Sequence, residues 1–97
     1  MENIKKELLE LFGDKKPLCA LLEFDNIEYK LKTNYTDEDY DKFMGSLNLS
    51  YDNGYGCQEL FGTVWFLNGD WADRGEYDGS EWWQIRRQPT IPKKLIN

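Results

Sequence analysis

The chain of 97 residues has no histidine, only two cysteines and no long apolar run. The lack of histidine excludes a Ser-His-Asp triad, a Cys-His pair, a zinc site with imidazole ligands and a histidine pH switch. No stretch of about 18 apolar residues is present to span a membrane. Residues 1–6 are charged and lack the apolar region of a signal peptide. These absences favour a cytoplasmic protein.

The two cysteines, Cys19 and Cys57, are too few for a disulfide framework or a zinc site. A disulfide would form only if the fold brought their Cα atoms within about 7 Å. Because no export signal is visible, we expect two free thiols that are buried or half-buried.

Size and composition predict one small α+β domain over residues 1–97. The hydrophobic share is 40% and the aromatic share 15%, which is enough for one modest core and too much for a disordered chain. We expect two amphipathic helices packed on an antiparallel sheet of about five strands. The predicted elements are a helix over 1–13, a β-hairpin over 18–32, a helix over 36–47, a β-meander over 48–87 and an extended basic tail over 88–97.

Local signals set the bounds of these elements. Apolar residues at helical spacing form the first helix, and Gly13 is suited to end it. The second helix follows Thr36, where Asp39 occupies the capping-box position. Asp25-Asn26 predicts a hairpin turn whose Lys-bearing second strand lies nearer the sheet edge. The further turns predicted are 52–54, 68–69 and 78–80.

A long strand is predicted over 57–67, with alternating faces. Phe61, Thr63 and Trp65 share one of these faces. Gly62, in the middle, indicates a bulge or a close approach of another backbone.

Charge is distributed unevenly along the chain. Residues 34–81 carry eleven acidic and two basic side chains, whereas residues 82–97 carry four basic and no acidic ones. Direct nucleic-acid binding is disfavoured, because it needs a basic stripe. The acidic middle could instead imitate phosphate and bind a basic nucleic-acid-binding surface, or it could simply solvate a small aromatic-rich domain.

The adjacent pair Trp82 and Trp83 must point to opposite faces of a strand. At most one ring belongs to a one-sided core, so the other is exposed, covered by another element or buried by a partner. Tryptophan and arginine are enriched at interface hot spots. We therefore predict a binding surface on the last two strands and their turn, formed by Trp71, Asp73, Arg74, Glu76, Tyr77, Asp78, Glu81, Trp82 and Arg86.

An enzyme is disfavoured. A carboxylate pair around Asp73 and Glu76 would have to carry the chemistry of a hydrolase, but strand alternation points the two side chains to opposite faces. The acidic spacing does not match a calcium-binding EF-hand loop. No catalytic residue, metal or cofactor is expected.

Four short segments carry a resemblance: GTVW at 62–65, NGDW at 68–71, RGEYDGSEWW at 74–83 and PTIP at 89–92. Together they resemble the C-terminal part of short uncharacterised proteins of tailed bacteriophages. The resemblance covers about a third of the chain, and it implies a phage origin and the bacterial host cytoplasm. It brings no activity and no catalytic residue.

The sequence thus favours a non-enzymatic protein-binding module, a phage-encoded inhibitor or modulator of a host or defence protein. Two alternatives stay open: a small ligand-binding module that stacks an exposed Trp on a sugar or nucleobase, and a small hydrolase using acidic residues. A homodimer through the same strand edge is the alternative to a free surface.

Overall fold

The computed structural model describes residues 2–52, 57–87, 89 and 91–96. Two helices lie on one face of a five-stranded antiparallel sheet, so the predicted α+β architecture is confirmed. The elements are β1 Glu2–Asn3, α1 Ile4–Phe12, β2 Cys19–Phe24, β3 Ile27–Leu31, α2 Asp37–Ser46, β4 Ser50–Tyr51, β5 Leu60–Trp65, β6 Trp71–Tyr77, β7 Ser80–Arg86 and a short 3-10 helix Lys93–Leu95.

The main sheet has the strand order β3-β2-β5-β6-β7. Its Lys-bearing strand β3 lies at one edge, as predicted. A meander is present, but it is formed by β5, β6 and β7 alone and is shorter than the 48–87 predicted, because β4 pairs with β1 instead. Strand β5 is shorter than the sequence suggested, since it begins at Leu60 and ends at Trp65. The remaining strands, β1 and β4, pair with each other in a small second sheet.

Side-chain caps explain where the helices begin. The side chain of Asn3 accepts a hydrogen bond from the amide of Lys6 at 3.0 Å, so α1 starts at Ile4, later than predicted. In α2 the predicted capping box is present: the amide of Asp39 donates to Oγ1 of Thr36, and the amide of Thr36 donates to Oδ2 of Asp39, both at 3.1 Å.

Two tight turns hold their hairpins through residues with positive φ. Asp25 and Asn26 have φ values of 54° and 63°, and Asp78 and Gly79 have values of 53° and 88°. Such paired left-handed residues match the twist of antiparallel strands. Both predicted turns are confirmed, although Ser80 already belongs to β7. The turn predicted at 52–54 extends outside the described residues.

Gly62 allows β5 to lie close against β2. A Cβ atom on this glycine would lie 2.6 Å from the carbonyl oxygen of Leu21. The close backbone approach predicted from the sequence is therefore confirmed.

The core lies between the helices and one face of the sheet. Side chains of the two helices contact those from the central strands there, and burying each large one stabilises the fold by roughly 1.5–3 kcal/mol. The buried apolar residues are Ile4, Leu8, Phe12, Ala20, Leu22, Leu31, Phe43, Met44, Leu47, Tyr51, Leu60, Val64 and Ala72. The described tail residues, 89 and 91–96, are all exposed. The prediction of an extended tail is wrong for Lys93–Leu95, which form a 3-10 helix. The rest of the predicted tail lies outside the described residues.

Both cysteines are free thiols, as predicted. Cys19 is half-buried at the start of β2, whereas Cys57 is exposed, so the prediction of burial is wrong for Cys57. The reason is the late start of β5: Cys57 precedes the strand instead of lying in it.

Candidate functional site

No described element covers the face of the sheet that lies opposite the helices. We call it the open face. Phe61, Trp65 and Trp82 are 46%, 40% and 42% exposed there, together with Leu21. Side chains directly across neighbouring strands share a face, and this register assigns to the open face Cys19, Leu21, Glu23, Glu28, Lys30, Phe61, Thr63, Trp65, Trp71, Asp73, Gly75, Tyr77, Ser80, Trp82, Gln84 and Arg86.

One row of the open face is aromatic. Trp65 on β5 lies directly across from Trp71 on β6, and Trp71 lies across from Arg86 on β7. Nε of Arg86 donates to Oδ1 of Asp73 at 3.3 Å. The row therefore consists of the rings of Trp65 and Trp71 followed by the guanidinium of Arg86, which Asp73 holds in place.

Trp82 lies over the backbone of β6. A Cβ atom built on Gly75, its partner across the strands, would be 2.8 Å from Cε2 and Nε1 of the indole. Because glycine has no side chain, the ring can lie against the sheet while its outer surface faces solvent. Of the alternatives left open for the tryptophan pair, the structure shows Trp82 exposed, while Trp83 is half-buried on the helix side.

The end of the open face near the β2–β3 turn is acidic. A cleft of about 310 Å³ lies there, lined by Glu23, Phe24, Asp25, Asn26, Gln58, Glu59 and Phe61. Among the described residues, none of its three carboxylates takes part in an ion pair. The cleft thus combines an aromatic wall with uncompensated negative charge.

Two residues predicted for the binding surface are instead buried on the helix side. Nη2 of Arg74 donates to Oε1 of Glu81 at 2.7 Å and to the hydroxyl of Tyr51 at 2.9 Å. Nη1 of Arg74 lies 3.7 Å from Oε2 of Glu7, and Tyr51 donates to the other oxygen of Glu7. The prediction that Arg74 and Glu81 are exposed is wrong, because their strand positions place them toward α1.

Glu81 also fixes the entry into β5. Its carboxylate accepts hydrogen bonds from the amides of Glu59, at 2.7 Å, and Leu60, at 3.0 Å. The Arg74 guanidinium lies over the rings of Trp83 and Tyr51, with its carbon 5.1 and 5.8 Å from their centroids. This cluster, Glu7, Tyr51, Arg74 and Glu81, joins the helix layer to the sheet.

Burial shifts the titration of two cluster members. It raises the pKa of Glu7, although the hydrogen bond from Tyr51 and the charge of Arg74 oppose the shift. Burial also raises the pKa of Tyr51, and its hydrogen bond to Glu7 adds to that effect. Tyr51 therefore stays protonated and donates. Glu81 is closed off from solvent.

The other predicted surface residues lie in three places. Trp71, Asp73, Tyr77, Trp82 and Arg86 share the open face, as the strand register requires. Asp78 forms the turn. Glu76 faces the opposite side and accepts a hydrogen bond from the amide of Gly79 at 2.9 Å. Asp73 and Glu76 are thus on different faces and do not form an acid pair.

Sequence reasoning left Leu21, Phe61 and Trp65 out of the predicted surface. The alternation of β5 showed that Phe61 and Trp65 share a face. The missing information was that β5 lies between β2 and β6, which joins this face to that of the last hairpin.

No protein-family model matches the chain, and no curated protein or solved structure is significantly similar to it. The phage resemblance carried by residues 62–92 therefore stays a prediction. Among the described residues, no helix is long and apolar enough to cross a membrane.

Proposed function

We propose that the protein is a non-enzymatic binding module that docks a basic protein surface on its open face. The observation that carries the proposal is the exposure of Phe61, Trp65 and Trp82 on one uncovered sheet face that is acidic at one end. Large exposed apolar patches usually mark interaction sites.

The rigidity of the open face favours binding. Its rings stand on paired strands, and Trp82 packs against Gly75. Aromatic side chains have few rotatable bonds, so ordering them in a complex costs little conformational entropy. Trp71 and Arg86 add residue types that are enriched at binding hot spots.

The charge of the acidic cleft favours a basic partner. A lysine or arginine side chain of the partner would meet Glu23, Asp25 and Glu59 beside the ring of Phe61. The net charge of −6 would also steer a basic partner toward the protein. The same charge opposes nucleic acid as the direct ligand. If the chain is phage-encoded, the partner is a host or defence protein, and a nucleic-acid-binding surface has the required charge.

Capture experiments with matched variants test this function. Wild type, Phe61→Ser and Leu9→Ser are immobilised and exposed to a bacterial lysate. Phe61 and Leu9 are similarly exposed, at 46% and 48%, but Leu9 lies on helix α1. We expect one protein to be retained by wild type and Leu9→Ser, lost with Phe61→Ser, and released as salt rises.

The purified partner then allows a direct measurement of charge. Glu23→Lys should weaken its affinity at least tenfold, whereas Glu10→Lys, exposed on α1, should leave it nearly unchanged. Equal retention of every protein by wild type and Phe61→Ser would refute the proposal.

A small-molecule site is the second candidate, favoured by the direct juxtaposition of Trp65 and Trp71. A nucleobase, or one face of a sugar ring, could stack on such a row. Saturable quenching of tryptophan fluorescence by an oligosaccharide or a nucleotide, lost in Trp65→Ala, would support this candidate instead.

A further inference from the structure

We propose that strand β7 pairs antiparallel with β7 of a second copy of the protein, forming a symmetric dimer. Strand β7 is the last strand of the sheet, and β6 is its only neighbouring strand among the described residues. We infer that the partner at this edge is a second copy from the backbone pattern of β7 and from the charges at the two ends of this strand.

The backbone pattern follows from the turn before β7. A two-residue turn at Asp78 and Gly79 makes Tyr77 and Ser80 a hydrogen-bonded pair. Alternate residues from Ser80 onward therefore bond to β6. The residues between them, Glu81, Trp83 and Ile85, point their amides and carbonyls away from the sheet.

This edge lacks the usual protection against pairing. Edge strands are commonly shortened, bulged or charged. The other edge strand, β3, has five residues and presents Glu28 and Lys30. By contrast, β7 has seven residues and pairs with β6 without a bulge. Its middle is uncharged, and Ile85 is 52% exposed.

The charges along β7 are self-complementary. The strand begins beside Asp78 and ends at Arg86, followed by the exposed Arg87. Antiparallel pairing centred on Trp83 places Trp83 opposite its symmetry mate and Glu81 opposite Ile85. It also brings Arg87 of each copy to the Asp78-Gly79 turn of the other. This register uses every outward backbone group and puts opposite charges together twice.

Pairing at this edge leaves the open face uncovered. The two-fold axis is perpendicular to the sheet, so the open faces of both copies lie on one side. Two five-stranded sheets become one sheet of ten strands. The dimer does not depend on the proposed function, since the edge and the open face are different surfaces.

Sedimentation of the full chain tests the dimer directly. We expect a species of twice the chain mass of 11.5 kDa. Ile85→Pro removes one outward amide and should give a monomer. Lys30→Pro removes an equivalent outward amide on β3 and should leave the dimer intact. A wild-type protein that stays monomeric at its highest soluble concentration would overturn the proposal, as would equal dimerisation of the two proline variants.

Amide exchange gives a second readout that does not depend on the proline variants folding. In the dimer, the amides of Glu81, Trp83 and Ile85 should exchange as slowly as those of Trp82 and Gln84. Fast exchange at these three positions in a dimeric sample would place the interface elsewhere and overturn the proposal.

Charge reversal tests the register. Arg87→Glu should raise the dissociation constant of the dimer at least tenfold at low salt, and an unchanged constant would overturn the Trp83-centred pairing. Phe61→Ser should leave the dimer intact, so loss of partner binding and loss of dimerisation can be told apart.

Discussion

Arg74 and Glu81 form an ion pair at 2.7 Å between neighbouring strands, with side chains that are only 1% and 0% exposed. Burying two charges is costly unless their geometry and further hydrogen bonds compensate. Here the compensation comes from Tyr51 and from two backbone amides. The pair therefore fixes how the last hairpin, the start of β5 and α1 fit together.

Glu81→Ala should reduce the free energy of unfolding by about 3–5 kcal/mol, because it removes the closer of the two carboxylates that pair with Arg74 and leaves two amides without their acceptor. Urea denaturation followed by tryptophan fluorescence measures the loss. Arg86→Ala is the control: it breaks the half-exposed pair with Asp73 and should cost less than about 1 kcal/mol. Similar losses for the two variants would contradict a structural role for the buried pair.

Glu7→Gln should change the pH dependence of stability. Burial raises the pKa of Glu7 above its ordinary value of 4.5, so the folded protein binds this proton more tightly than the unfolded chain does. The stabilisation by the protonated carboxyl group is therefore complete below about pH 4.5 and is lost as the pH rises through the raised pKa. The stability of Glu7→Gln relative to wild type should therefore increase with pH above that point. Urea denaturation across this range measures it, with the exposed Glu10→Gln as control. A flat difference for Glu7→Gln would contradict the prediction.

Gly62→Ala should destabilise the protein by about 1–3 kcal/mol, because the new methyl group meets the backbone oxygen of Leu21 at 2.6 Å. Gly45→Ala, in helix α2, meets no atom within 4 Å. It should stabilise the protein by up to about 1 kcal/mol through helix propensity. Thermal unfolding measures both effects: the midpoint should fall for Gly62→Ala and rise for Gly45→Ala. A midpoint that rises for both variants would exclude a clash between the new methyl group and the Leu21 backbone.

The two thiols should react at different rates with a thiol-specific reagent in the native protein. Cys57 is exposed and should react at once, whereas Cys19 is half-buried beside Trp65 and should react more slowly. Absorbance of the released thiolate follows both phases. Cys57→Ser should remove the fast phase alone, and a protein without reactive thiols before reduction would indicate a disulfide instead.

Local chemistry made much of the fold predictable. Asp25, Asn26 and Gly79 tolerate positive φ, so their turns could be located from the sequence alone. Thr36 and Asp39 cap a helix through contacts three residues apart. Such features depend on near neighbours, and both are found where the sequence places them.

The side of the sheet that is buried could not be predicted in the same way. Arg74 and Glu81 are charged, which favours exposure, yet they pair with each other, and Glu7 and Tyr51 from distant parts of the chain also contact Arg74. The central position of β5 likewise depends on tertiary pairing. Strand alternation separated the two faces of each strand, but only this pairing joined Trp65 to Trp71.

The buried cluster also has a consequence for the order in which the protein acquires its structure. Glu7 belongs to a helix near the start of the chain, while its partner Arg74 is held by Glu81, which follows much later. At about 5–20 residues per second, a ribosome adds Glu81 roughly 4–15 s after Glu7. The carboxylate of Glu7 on helix α1 therefore has no Arg74 to pair with until most of the chain has been synthesised. The cluster forms only after nearly all of the sheet has been made.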